Sequence, residues 1–332
     1  MSTIKDVAAL AGVSISTVSR VINNTVPVDT LTKEQVINAI KELNYQPNFL
    51  AKGLKDGKTN TISLLIPSIR NPSLPIIVRG VEDVARKEGY TLILCNTDES
   101  IDAEKKYIEK MRNNWVDGMI FATAVDSSDH LGELSKSGFP TVLVSRQWGN
   151  EIDLIAVDNV KSGYIATEHL ITRGYKRIGF TIGRSDLRLY RDRYKGYLKA
   201  LSDYQIEFNE HFLIHAIPDE YTGICKFPGL EEFMTGKHKP DAIFATSDLT
   251  AISLIRAVKE LGMSVPADLA VIGIDNIDIS SQIDPPLTTI AQPLYEMGVA
   301  AANRLIKRIR KNNNLESIVK IIDATLIVRK ST

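Results

Sequence analysis

The sequence predicts an α/β protein in which a small three-helix unit precedes a large core of two doubly wound, mainly parallel sheets. Three observations support this fold class. Apolar residues recur at helical spacing over residues 1–45, short apolar runs alternate with helical patterns from residue 61 onward, and this alternation starts again after residue 155. Alternating strands and helices are typical of parallel sheets covered by helices on both faces.

The 332-residue chain has an ordinary globular composition, with 44% hydrophobic and 24% charged residues. This composition excludes a disordered or collagen-like chain. The 40 basic side chains balance the 40 acidic ones, so net charge predicts no partner. Two distant cysteines, Cys95 and Cys225, and the lack of an apolar signal segment favour a cytoplasmic protein without membrane contact.

Residues 1–45 predict three short helices that bury a common face. Thr3 can cap the first helix in a capping box with Asp6. Ser14 can cap the second helix after a glycine turn, and Asp29 or Thr32 opens the third. The apolar residues at helical spacing, which we expect to form the small core, are Ile4, Val7, Ala8, Ala11, Val18, Val21, Ile22, Val36, Ala39, Ile40 and Leu43.

A helix-turn-helix of this kind places its second helix in the DNA major groove. Ile15, Ser16 and Arg20 lie on the outer side of that helix, and Arg20 can donate two hydrogen bonds to guanine O6 and N7. The side chains suited to phosphate contacts are Thr17, Ser19, Asn23 and Tyr45. The alternative is an ordinary helical hairpin whose outer face is merely solvated.

Four segments of this unit resemble the DNA-binding headpiece of the lac repressor/galactose repressor (LacI/GalR) family. They are TIKDVA at 3–8, AGVS at 11–14, TVSRVIN at 17–23 and LNYQPN at 43–48. The resemblance extends over essentially the whole chain. It implies a transcriptional regulator with a headpiece at 1–47, a hinge at 48–60 and an effector-binding core at 61–332, and we expect Thr3 and Asn48 to contact DNA as well.

The hinge segment is too short to form a stable helix alone, and Gly53 weakens it further. We therefore expect it to order only on binding. The resemblance places Leu54 at the position of the leucine that intercalates into the minor groove, where an apolar wedge can kink the duplex. The alternative is that Leu54 packs between the domains.

Short apolar runs in the core predict buried strands separated by helices. In the first lobe the predicted strands are 62–66, 91–94, 119–121 and 142–144, and the predicted helices are 73–88, 101–114 and 128–137. The same alternation starts again with a strand near 155–157. The later predicted strands are 178–182, 212–214, 242–244 and 269–274, and the later helices are 160–173, 190–203, 222–235 and 247–261.

The resemblance implies that this core has a two-lobed, type I periplasmic-binding-protein-like fold, in which the chain crosses between the lobes three times. We place the crossings near 158–160, 288–291 and 315–318. Lobe 1 would then contain 61–159 and 291–317, and lobe 2 would contain 160–288 and 318–330.

Ligands of open parallel sheets bind beyond the carboxyl ends of the strands, so two facing lobes form a cleft that a hinge can close. Arg193 and Asp275 align with the family's effector-binding arginine and aspartate, and Asp248 follows another strand. Tyr221 can supply a stacking face. The alternatives are structural ion pairs for the charged residues and surface packing for the tyrosine.

Ser73 and Leu74 follow the first strand of the core, at positions where relatives often have aromatic residues. They complete the predicted effector-binding set, although this departure makes the ligand contacts of the first lobe differ from those of relatives. The predicted effector is a small, polar, carbohydrate-like molecule, because an arginine and carboxylates can together bind hydroxyl groups.

These features predict a repressor that binds double-stranded, palindromic operator DNA as a homodimer and changes its affinity when an effector binds. No cofactor, metal site or enzymatic activity is predicted, because no nucleophile motif and no dinucleotide motif occurs. Two alternatives remain open: a solute-binding protein without specific DNA binding, and an α/β enzyme acting on a sugar.

Overall fold

The computed structural model describes residues 2–23, 26–45, 58–113, 115–219, 223–236 and 239–332. The chain divides into an N-terminal unit, Met1–Thr59, and a core, Asn60–Thr332. Most of the predicted hinge therefore lies outside the described residues.

The N-terminal unit contains α1 (Ile4–Leu10), α2 (Ile15–Asn23) and α3 (Thr30–Glu42). Thr3 forms the predicted capping box, and the Ser14 hydroxyl accepts the N–H of Thr17 at 3.2 Å. Asp29 rather than Thr32 caps α3, because its carboxylate accepts the Thr32 N–H at 2.9 Å. The predicted core residues pack together, and those that are buried are Val7, Ala8, Val18, Val36 and Ala39.

The core alternates strands and helices along the chain. Its strands are β1 (Thr61–Ile66), β2 (Thr91–Asn96), β3 (Gly118–Phe121), β4 (Thr141–Val144), β5 (Asp153–Ala156), β6 (Ile178–Ile182), β7 (Leu213–His215), β8 (Ile217–Pro218), β9 (Cys225–Lys226), β10 (Ala242–Phe244), β11 (Ala270–Asp275), β12 (Thr288–Ala291), β13 (Val319–Ile321) and β14 (Thr325–Ile327). Its helices are α4 (Ser73–Lys87), α5 (Ile101–Arg112), α6 (Asp129–Lys136), α7 (Asn159–Thr172), α8 (Arg188–Asp203), α9 (Leu230–Thr235), α10 (Asp248–Glu260) and α11 (Leu294–Arg310).

The described strands form one sheet in each lobe, and a small antiparallel pair, β8 and β9. The lobe 1 sheet has the order β13-β5-β4-β3-β1-β2, and the lobe 2 sheet has the order β14-β12-β11-β10-β6-β7. In lobe 1, α4 and α11 pack on one face and α5 and α6 on the other. In lobe 2, α7 and α8 pack opposite α9 and α10, which confirms the doubly wound fold.

Two predicted crossings in the core were wrong. The strand Asp153–Ala156 pairs with β4, which agrees with the predicted extent of lobe 1. Strand β12 stays in the lobe 2 sheet, so the second crossing follows it, at 292–293. Strand β13 pairs with β5, whereas β14 pairs antiparallel with β12, which moves the third crossing from 315–318 to 322–324.

The predicted helix at 222–235 was also too long. Cys225–Lys226 forms strand β9, and the helix runs only from Leu230 to Thr235. Pro228 and Gly229 directly precede it, and Gly229 has a φ of +75°. A helix does not continue through a residue in the left-handed region, so α9 can start only after this glycine.

A buried ion cluster attaches β13 to the lobe 1 sheet. The fully buried Asp153 carboxylate accepts hydrogen bonds from Arg304 at 2.6 and 3.1 Å and another from Arg308. It also accepts the N–H of Ile318 at 2.7 Å, one residue before β13. Burial tends to raise the pKa of Asp153, but the hydrogen bonds from both arginines outweigh it and lower this pKa below its usual value.

Candidate functional site

Helix α2 presents a row of exposed side chains on the side opposite its buried face. Ile15 is 45% exposed, and Ser16 and Arg20 are exposed as well. Val18, on the inner side of the helix, is fully buried. Packing thus fixes α2 by one face and leaves the three residues predicted to contact bases accessible.

The residues predicted to contact phosphates have additional local roles. The Thr3 hydroxyl donates to the Asp6 carboxylate at 2.8 Å, and the Thr17 hydroxyl lies 2.9 Å from that of Ser14. The Tyr45 side chain packs against the small core of the N-terminal unit. Ser19 is half-buried.

Several predicted site residues cannot be placed. Asn48 and Leu54 of the hinge and Tyr221 of the cleft lie outside the described residues. Asn23 ends helix α2, but its side chain is likewise outside the described part of the chain. Their roles stay predictions.

A cleft of about 810 Å³ lies between the lobes of the core. Ser73 and Leu74, at the start of α4, line it from lobe 1. Arg193 of α8 and Asp275 at the end of β11 line it from lobe 2. Its volume is within the range of small-molecule sites, and it brings these four predicted residues together.

Arg193 is held by two acceptors of its own lobe. It is only 4% exposed. Its Nε donates to Asn159 Oδ1 at 2.9 Å, and a second guanidinium nitrogen donates to the carbonyl of Thr246. The guanidinium carbon lies 5.8 Å from the centre of the Tyr190 ring, which also lines the cleft. These contacts fix the arginine fork before any ligand binds.

Two glycines allow α7 and α8 to approach closely enough to position this arginine. A Cβ added to Gly163 would lie 2.2 Å from the carbonyl oxygen of Arg193. A Cβ added to Gly196, one turn further along α8, would lie 2.1 Å from the carbonyl oxygen of Val160. Because both neighbouring atoms belong to the backbone, no side-chain rearrangement could accommodate a larger residue.

Asp275 has an unusual backbone conformation for a residue with a side chain. Its φ is +138°, and that of Asn276 is +60°. Such conformations cost about 1–3 kcal/mol each and tend to occur at ligand sites. The Asp275 carboxylate accepts a hydrogen bond from Gln292 Nε2 at 2.6 Å, and Gln292 lies at the second crossing between the lobes. Sequence reasoning missed this glutamine.

Asp248 does not line the cleft, contrary to prediction. Its carboxylate is fully buried within lobe 2. It accepts the N–H of Ile277 at 3.1 Å, the hydroxyl of Ser280 at 2.6 Å and the hydroxyl of Thr289. These three hydrogen bonds occupy both oxygens of the carboxylate. Asp248 therefore fixes the loop that follows Asp275 instead of contacting a ligand.

The cleft also contains an ion cluster that sequence reasoning missed. Glu99, after β2, accepts two hydrogen bonds from Arg146, after β4, at 2.7 and 2.8 Å. Arg184 of lobe 2 lies 3.0 Å from the same carboxylate. Each of these residues follows a strand end, so the rule that selected Asp248 could have selected them. Their arrangement gives the cleft a second polar region, and one carboxylate there contacts both lobes.

The rest of the cleft wall is partly apolar. Besides Tyr190, it includes Ile77, Leu187, Leu189 and Leu294. Apolar walls with a few fixed polar groups suit a small molecule that has both ring faces and hydroxyls. The arrangement can therefore bind and orient a polar ring. Within the described residues, no group of three or more His, Cys, Asp or Glu side chains could hold a metal ion.

Comparison with known proteins decides the family. A model of bacterial regulatory proteins of the lacI family matches residues 3–48, and a periplasmic binding protein-like domain matches residues 167–332. The HTH-type transcriptional repressor PurR of Photobacterium profundum is 37% identical over 335 residues, covering 100% of this chain and 98% of that protein. The chain belongs to the lacI family of bacterial regulatory proteins. This confirms the family predicted from the headpiece motifs.

Two solved structures are similar to this LacI-family chain over nearly its whole length. A complex of the transcriptional regulator CelR with cellobiose has a TM-score of 0.75 and 29% identity, and covers 100% of both chains. The lac repressor dimer bound to operator and the anti-inducer ONPF has a TM-score of 0.85 and 26% identity, and covers 99% of this chain and 98% of that one. As for membranes, none of the described helices is long and apolar enough to span one.

The pKa of Asp275 predicts a pH-dependent stability in this LacI-family core. Burial raises this pKa to about 7, although the nearby Arg193 guanidinium opposes the shift. In the unfolded chain the carboxyl has a pKa of about 3.9. Between these values the folded state keeps a proton that the unfolded state releases, so the contribution of Asp275 to stability falls as pH rises from about 4 to about 7.

Urea unfolding of the wild type and of Asp275→Asn at several pH values tests this effect. We expect the wild type to lose stability relative to the variant as pH rises through this range, because an amide does not titrate. Parallel stability profiles for the two proteins would contradict the assignment.

Proposed function

We propose that this chain is a transcriptional repressor that binds a palindromic operator as a homodimer, and that a small polar effector in the cleft changes its operator affinity. We assign the effector to the sugars or their derivatives and the site of action to the cytoplasm. The main support for this proposal is the cleft, because a buried arginine fork and a strained aspartate line a cavity that both lobes share. The solved complex of CelR with cellobiose supports a sugar as ligand.

Effector binding acts by stabilising one arrangement of the lobes over the other. A ligand shifts such an equilibrium only by its difference in affinity for the two arrangements. Arg193 and Asp275 belong to lobe 2, whereas Ser73 and Leu74 belong to lobe 1, so a ligand that contacts all four binds most tightly when the lobes are close. The resulting lobe rotation changes the separation of the two lobe 1 copies in a dimer, and with it the fit of the two headpieces to the operator.

The headpiece supplies the DNA contacts of this proposal. Ile15, Ser16 and Arg20 read base edges, and the hydroxyl groups near them bind phosphates. Leu54 acts as a minor-groove wedge at the centre of the operator. A dimer is needed because one short helix reads only a few base pairs, and two-fold symmetry matches a palindrome. The lac repressor dimer seen on its operator supports this arrangement.

Replacing Arg20 with alanine should weaken operator binding and relax the preference at one base pair in each half-site. Loss of a guanidinium–guanine pair costs about 1–3 kcal/mol for the matching base. Fluorescence anisotropy at fixed salt, with the operator and its single-base variants, measures both effects. Lys33→Ala removes another exposed positive charge, on α3 of the same unit, and should not alter base preference. Uniform weakening across all sequences by Arg20→Ala would refute the base contact.

Three assays distinguish the alternatives. A thermal-shift screen of the full chain against sugars identifies a cleft ligand, because ligand at 100 times its Kd adds about 2.7 kcal/mol of stability. Gel shifts on fragments of its own genome then separate a repressor from a solute-binding protein. Turnover of the stabilising sugar by purified protein would favour an enzyme and contradict the proposal.

A further inference from the structure

A second pocket, of about 350 Å³, contains residues of both lobes and shares none with the cleft. Asp126, Gln147 and Trp148 line it from lobe 1, and the first turns of α8 line it from lobe 2. We propose that this second pocket binds a small sugar phosphate, with the phosphate on the cations of α8 and the sugar ring against Trp148. This site is separate from the effector cleft.

Three cations of α8 face the second pocket. Arg188, Arg191 and Lys195 are spaced by three and four residues, which places them on one side of the helix. Their side chains are 47%, 39% and 64% exposed. Like charges at this spacing repel each other and destabilise a helix. A bound anion relieves that repulsion, which favours an anionic ligand.

The protein itself balances these charges only in part. Arg191 binds Asp126 of lobe 1 through two hydrogen bonds at 2.6 and 2.8 Å. Asp192 contacts Lys195 at 2.8 Å and Arg188 at 3.4 Å. Among these five groups, three cations face two carboxylates, which leaves one positive charge. Because the Arg188 contact is long, a phosphate can replace it at small cost, and a guanidinium presents further N–H donors to it.

Trp148 supplies a rigid flat wall for a sugar ring. Its indole packs over Gly132, where an added Cβ would lie 2.5 Å from the ring, so the indole cannot move toward α6. Trp148 is nevertheless only partly buried, and it lines the pocket. The adjoining Gln147 amide nitrogen donates to Gly149 and Asn150 at 3.4 and 3.3 Å, and the amide oxygen can accept a hydrogen bond from a sugar hydroxyl. An aromatic face beside a polar group suits a ring that carries hydroxyls, and the cations beside it add the preference for a phosphate.

The second pocket is positioned to communicate with the cleft. Helix α8 lines the cleft with Tyr190 and Arg193 and the second pocket with Arg188 and Arg191. A ligand that contacts both Trp148 and α8 joins the two lobes, as the Asp126–Arg191 pair already does. Occupancy of either pocket therefore favours the same close arrangement of the lobes.

Tryptophan fluorescence tests the proposal directly, because the chain has only two tryptophans. Trp115→Phe removes the other one, which is 53% exposed, and leaves Trp148 as the reporter. The full chain in this background is titrated with glucose 6-phosphate, glucose and inorganic phosphate at low salt. We expect a saturable fluorescence change with the sugar phosphate at lower concentration than with either fragment. Arg188→Ala combined with Lys195→Ala should weaken it at least about tenfold.

Control variants test whether the sugar phosphate binds in the second pocket. Lys199→Ala removes an exposed cation one turn further along α8 and should leave the titration unchanged. An equal affinity for glucose, or an unchanged affinity in the variant that combines Arg188→Ala with Lys195→Ala, would overturn the proposal. Because the assay contains no DNA, its failure leaves the proposed repressor function standing.

Discussion

Replacing Arg193 with alanine is expected to abolish the effector response while operator binding persists. The guanidinium is buried in the cleft and fixed by Asn159 and Thr246, so it offers its remaining donors to a ligand in a set geometry. Hydrogen bonds to charged groups contribute about 1.5–3 kcal/mol each. Loss of two such bonds weakens effector binding by a factor on the order of 10² or more.

Operator affinity in the presence and absence of a cleft ligand measures this effect. Arg256→Ala on α10, which removes an exposed guanidinium paired with Glu260, serves as the control and should respond normally. Because Arg193 is buried, urea unfolding of the variant should accompany the assay. A folded Arg193→Ala protein that still responds at wild-type ligand concentrations would remove this residue from the effector site.

Replacing Asp153 with alanine is expected to destabilise the core by about 3–5 kcal/mol, because it leaves two buried guanidinium groups without their carboxylate. Arg304 and Arg308 are 11% and 7% exposed, so water can replace little of the lost interaction. Urea unfolding at pH 7 measures the change. Asp83→Ala removes a carboxylate paired with exposed arginines on α4, and it should have a much smaller effect.

The effect of Asp153→Ala should also depend on pH in a defined direction. Because the Asp153 pKa is lowered by folding, its contribution is complete above the unfolded value of about 3.9 and is lost as pH falls through the folded value. The stability difference between wild type and variant should therefore be constant near neutral pH and shrink below about pH 4. A small difference at pH 7, similar to that of Asp83→Ala, would show that the cluster contributes little.

Local patterns predicted most of the fold. Apolar spacing and caps located the helices of the headpiece, and alternating runs located the central strands of both sheets. The pattern failed where pairing depends on distant residues. The prediction assigned residues 318–330 to lobe 2, but Val319–Ile321 pairs with β5 of lobe 1, next to the cluster in which Asp153 binds Arg304, Arg308 and Ile318. No sequence pattern within β13 itself indicates where the chain crosses between the lobes for the third time.

Some residues of the candidate site could likewise be predicted from the sequence, whereas the roles of others depend on contacts that form only on folding. Arg193 and Asp275 could be predicted because they align with the family's effector-binding positions, and Asp275 also ends strand β11. Asp248 shares that placement, but its neighbours Ser280 and Thr289 satisfy it internally, and these contacts arise only on folding. The same is true of Glu99, which becomes notable only because Arg146 and Arg184 meet it from different lobes.

We expect occupancy of the cleft to set the operator affinity of a dimer. The most direct measurement is the affinity of the purified full chain for its palindromic operator, with and without a saturating sugar that stabilises the core, together with its mass in solution. We expect a dimer whose operator affinity changes at least about tenfold with the sugar, which corresponds to a coupling free energy of about 1.4 kcal/mol. A monomer that binds no fragment of its own genome would contradict this expectation. A dimer whose operator affinity is the same with and without the sugar would also contradict it.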